Sequence, residues 1–107
     1  MLICFLSMQK SEELKLPSLF QIGSYRVYFW SNENNEPIHV HVGIGKPTPN
    51  ATKIWITSSG RCIIANNGSR IPTNELNELL EIISAQFFMI CNAWKDHFKV
   101  DEIKFYC

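Results

Sequence analysis

A chain of 107 residues, 46% hydrophobic and 19% charged, can bury a core without disulfides or metal and is too apolar to be disordered. At roughly 100–200 residues per domain it forms one domain, residues 1–107, and lacks the length and internal repeats for two-domain enzymes, doubly wound cofactor folds or repeat arrays. Ten Lys and Arg balance ten Asp and Glu, which argues against bulk electrostatic binding of nucleic acid but leaves room for a local basic patch.

Residues 1–8 are apolar but carry neither a basic flank nor a small-residue cleavage site, so a tucked arm or edge strand of a cytoplasmic protein is expected. No apolar stretch is long enough to cross a bilayer, and no membrane partner is expected. Cys4, Cys62, Cys91 and Cys107 show no CxxC spacing and read as reduced thiols. Residues 9–17 are charged and end in Pro17, and residues 1–16 read as a lead-in or N-terminal arm. Residues 19–22 and 25–30 flank Gly23-Ser24, a hairpin with a two-residue turn. Residues 31–37 form a polar loop closed by Pro37.

Residues 38–44 alternate without a break. Ile38, Val40, Val42 and Ile44 share one face, and His39, His41 and Gly43 share the other. In residues 52–57, Ile54 and Ile56 oppose Lys53, Trp55 and Thr57. A Ser58-Ser59-Gly60 turn leads to residues 61–66, and Asn67-Gly68 turns the chain again. From Thr73 the period becomes 3.6. Leu76, Leu79, Leu80, Ile83, Phe87, Ile90, Cys91, Trp94 and Phe98 form one stripe, which predicts one long helix over 73–98 with Thr73 as N-cap. Apolar residues off the stripe at Ala85, Phe88 and Met89 require cover on a second side. The candidates are residues 100–106, read as a final strand or covering arm, and a second chain, which would make a homo-oligomer. The expected fold is α+β: an antiparallel sheet of five or six strands within residues 17–71, with one long helix packed on one face.

The histidines carry the candidate chemistry. Side chains two apart on a strand project from one face about 6.5–7 Å apart. Three readings stay open at this point. His39 and His41 can act as an acid–base pair in metal-independent RNA cleavage, with Arg70, or else Lys53, Arg26 or Arg61, meeting the phosphorane charge. They can bind a metal, with Cys62, Glu36, Glu33 or His97 as further ligands, although none sits at a diagnostic spacing and no cofactor is expected. They can also be polar residues on the solvent side of a half-buried strand. The same face collects Lys53 and Trp55 and, from the preceding hairpin, either Arg26, Tyr28 and Trp30 or Tyr25, Val27 and Phe29. Interleaved aromatics and cations suit a single-stranded RNA platform or a protein partner, and zero net charge favours the protein. Arg70 beside the Thr73 helix start offers an anion site, though the Asn-Gly turn accounts for that segment unaided.

The segment Phe29-Trp30-Ser31-Asn32-Glu33, continuing through Glu36-Pro37-Ile38-His39-Val40-His41-Val42, resembles a bacterial family, domain of unknown function 4160. Its pattern is a strand, a polar loop, a Pro-Pro-His-x-His motif, a hairpin and a terminal helix with a Trp. Pro37, His39, His41 and Trp94 fit, and the resemblance spans about residues 17–98. Glu36 stands where members often have the first proline, and Asn34-Asn35 where many have Asp-His, which removes a third histidine. The resemblance implies one half of a two-gene module of toxin–antitoxin type, partnered by a small protein encoded alongside. Three functions follow as expectations: a metal-independent endoribonuclease toxin, a non-enzymatic interaction module or antitoxin-like partner, and a metal-dependent nuclease.

Overall fold

The computed structural model, which describes residues 18–30 and 35–107, has five strands among them. They are β1 (Ser18–Ile22), β2 (Tyr25–Tyr28), β3 (His39–Ile44), β4 (Thr52–Ile56) and β5 (Cys62–Asn66). The alternating segments of the sequence lie in β3 and β4. Every strand pairs antiparallel with its chain neighbour, in the order β1-β2-β3-β4-β5. Gly23 takes φ +59° in the β1–β2 turn, a left-handed conformation that glycine adopts without a Cβ penalty. The expected 1–16 lead-in, Cys4 and part of the 31–37 loop lie outside the described residues.

Register assigns the two faces. Val27 is opposite Val42, and Val40 opposite Ile54, so one face is aliphatic. Tyr28 is opposite His41, His41 opposite Lys53, and His39 opposite Trp55, so the other face carries aromatics, imidazoles and a cation. The aliphatic face joins Leu19, Phe29, Ile38 and Ile56 with Leu76, Leu79, Ile83, Ile90 and Trp94 in one core cluster. Burial of such side chains is the main stabilising term, about 25 cal/mol per Å² removed from water.

The single helix expected over 73–98 is two helices, α1 (Thr73–Ala85) and α2 (Phe87–Phe98), with Gln86 between them at φ −99°, ψ 22°. The Gln86 N–H is shared between the Ile82 and Ile83 carbonyls, at 3.2 and 3.0 Å. No Gly or Pro marks the break, and the apolar stripe runs straight through it. Tertiary contacts decide it. The Ser84 hydroxyl donates to the Gly60 carbonyl and ties the end of α1 to the β4–β5 turn. Beyond the break, Phe87 lies against Phe105, and Trp94 meets Phe29 with ring centroids 5.2 Å apart. Thr73 is also not the N-cap. Pro72 holds that position in an extended conformation without a side-chain cap bond, and its carbonyl accepts from the Leu76 N–H at 2.8 Å. Residues 100–106 take the covering-arm alternative. The Lys104 carbonyl accepts from the Ile38 N–H at 2.9 Å, and the Cys107 carbonyl from the Ser58 N–H at 3.0 Å.

Candidate functional site

The histidines do not face solvent. Alternation puts both on the face opposite Val40 and Val42, as expected, but His39 is 0% exposed and His41 5%. Aromatic side chains enclose them. The His39 ring meets His41, Trp55 and Trp94 with centroids 5.0, 5.5 and 5.5 Å away, and His41 stacks on Tyr28 at 5.7 Å. Trp94 touches Phe29 on the helix face and His39 on the other, so it closes the end of the sheet where β3 begins. The reading of two polar residues on a wetted strand face is therefore corrected. A strand pattern tells which face a side chain takes, and only long-range contacts tell whether that face is covered.

His39 Nδ1 lies 2.8 Å from the Pro37 carbonyl. A carbonyl only accepts, so Nδ1 carries the hydrogen, and in the neutral ring Nε2 is the basic nitrogen. Pro37 thus orients the imidazole that follows it by two residues. Glu36 Oε1 lies 4.0 Å from the same Nδ1, beyond hydrogen-bond reach, and pairs with Lys53 Nζ at 2.6 Å. That ammonium sits 4.4 Å from the centroid of the Trp55 ring. On the outer side of Trp55, Tyr106 of the arm stacks almost parallel at 4.9 Å.

Lys53, Trp55, Tyr28 and Arg26 all share the histidine face, Arg26 half-buried and opposite Gly43. Arg70 does not join them. It is exposed at φ +57° in a turn whose bonds run to Thr52, Val42 and Ile71. Val42 lies three residues along β3 from His39, near the opposite end of the strand. Asn67 holds this turn. Its Oδ1 accepts from the Thr52 hydroxyl at 2.7 Å and the Ile71 N–H at 3.1 Å, and its Nδ2 donates to the Ile71 carbonyl at 2.9 Å.

Of the further metal ligands, Glu36 lies beside His39 but is engaged by Lys53, and Cys62 and His97 fall elsewhere. Cys62 is opposite Ile56, which turns it toward the helices, and its thiol meets the Leu80 carbonyl at 3.8 Å. Burial pushes that thiol up to about 11, so it is protonated and a poor ligand near neutral pH. His97 packs on Phe29 and Phe98, and burial lowers its pKa. Glu33 lies outside the described residues. Among the described residues no group of three or more His, Cys, Asp and Glu is arranged to hold a metal ion.

The residues missed in the sequence are Trp94, whose ring meets His39, and Tyr106, which stacks on Trp55. Trp94 reads as core from its helical spacing, and nothing local shows that it reaches His39. The alternation in 100–106 suggests an arm but not the strand it covers.

Among the described residues no helix is long and apolar enough to cross a membrane. The family model for Domain of unknown function (DUF4160) matches residues 24–95, which includes β2 to β5, both histidines and Trp94. No curated protein and no solved structure matches the chain.

Proposed function

The chain belongs to the DUF4160 family of domains of unknown function, and from that premise we propose that it is a non-catalytic protein-interaction module of the bacterial cytoplasm. It forms one half of a toxin–antitoxin-type pair and acts through the cognate small protein encoded beside it. The burial of both imidazoles carries this reading. General acid–base catalysis needs each histidine within hydrogen-bond reach of the reacting group. Rings enclosed by Tyr28, Trp55 and Trp94 meet an RNA 2′-hydroxyl only if the face opens. What the face does offer a partner is the Trp55–Tyr106 stack with Lys53 beside it, and Tyr106 is 55% exposed. Trp and Tyr dominate interface hot spots.

One observation favours RNA cleavage as a second reading: Lys53 is the backbone partner of His41 across β3 and β4, so a cationic residue and an imidazole occupy paired positions on one face, although the ammonium itself is held by Glu36. Growth and RNA integrity separate the two readings. Expressed alone, the wild-type chain is expected neither to arrest growth nor to cut RNA. It should co-purify with the product of the adjacent gene, and Tyr106→Ala should weaken that association at unchanged fold. Growth arrest relieved by His39→Ala or His41→Ala, with the melting temperature held, overturns the proposal in favour of catalysis.

A further inference from the structure

α2 leaves one large apolar side chain in water. Phe88 is 78% exposed, although its neighbour Phe87 is covered by Phe105 of the C-terminal arm, ring centroids 6.2 Å apart. Phe88, Cys91 and Lys95 recur at helical spacing along one side of α2. The arm rises opposite them with Asp101, Glu102 and Phe105, and the two walls enclose a groove of about 430 Å³. Among the described residues neither Asp101 nor Glu102 is in an ion pair, and Lys95 has no carboxylate partner. The patch therefore carries its own knob beside its own hole, and a cation on one wall facing two carboxylates on the other. A two-fold interface requires such self-complementarity, because each residue must meet its complement on an identical surface.

We infer that a second copy of this chain occupies the groove. The two α2 helices run antiparallel across the axis, each Phe88 enters the groove of the other copy, and each Lys95 meets the partner's Asp101 and Glu102. The apolar contact holds the pair together. The charges fix its register and make it weaken as salt rises.

The test is the mass of the full chain in solution, by light scattering or sedimentation. Wild type is expected at twice the 12.4 kDa chain mass. Phe88→Asp should be monomeric with an unchanged circular dichroism spectrum, and with a melting temperature equal to that of wild type diluted below its self-association, since the position is exposed in the single chain. Lys95→Glu should also dissociate the pair, and Lys95→Glu with Glu102→Lys should restore it. A wild-type monomer throughout its soluble range overturns the inference. So does a dimer untouched by Phe88→Asp, or a double reversal no better than Lys95→Glu alone. A monomer in which Phe88→Asp abolishes capture of the cognate protein overturns it too, and gives the groove to that protein. The inference does not depend on whether the histidines are catalytic, and RNA cleavage is read separately from mass.

Discussion

At Gly68 an added Cβ would stand 1.7 Å from the Asn50 carbonyl oxygen, a contact no flexible side chain can relieve because the obstacle is backbone. The glycine is needed for this close approach rather than for an unusual φ. Around it, Asn67, Ser69 and Thr52 satisfy one another. The Ser69 hydroxyl donates to the Val42 carbonyl at 2.9 Å and accepts from the Thr52 N–H at 3.1 Å. Gly68→Ala is expected to displace the turn and cost about 1–3 kcal/mol, the usual range for overpacking a well-packed site. Urea denaturation measures it, and a loss below a few tenths of a kcal/mol would mean that the loop moves aside freely. The turn also shows why Arg70 is no companion to the histidines. Its backbone bonds belong to a structural lock at the other end of the strand.

Along α2, two aromatic residues six apart serve opposite purposes. Trp94 is buried between Phe29, Phe98 and His39 and seals the end of the sheet, whereas Phe88 stands in solvent. Trp94→Ala should cost about 3–5 kcal/mol, as large-to-small core changes do. The same truncation at Phe88 should stay within about 0.5 kcal/mol for the isolated fold. Thermal unfolding of the two variants at a concentration below any self-association gives the comparison. Equal losses would contradict the division of α2 into a sealing face and a free one. That division follows from helical spacing, because at 3.6 residues per turn two positions six apart point to different sides of α2.

For the whole molecule, acid is expected to destabilise the fold through His97. Burial lowers its pKa below the ordinary 6.5, Lys99 adds to the lowering, and Asp96 opposes it. The unfolded chain therefore binds a proton that the folded chain refuses. The stability from this residue is fully present above about pH 6.5 and declines as pH falls from there through the lower folded value. His97→Gln should flatten that part of the melting-temperature profile, and an unchanged slope would assign the acid sensitivity elsewhere. Much of this was legible in the chain itself. The strands β3 and β4 follow from period-two alternation, the Gly23-Ser24 hairpin from its turn residues, and the shared face of His39, His41, Lys53 and Trp55 from the parity of side-chain direction, all of which are local rules of backbone geometry. The family likeness rests on Pro37, His39 and His41, close together in the chain, and on Trp94 in the terminal helix. The Gln86 break, the place of Tyr106 against Trp55 and the burial of both imidazoles were decided only by tertiary structure. Each depends on groups distant in sequence meeting in space, and no periodicity encodes which distant ring covers a given face.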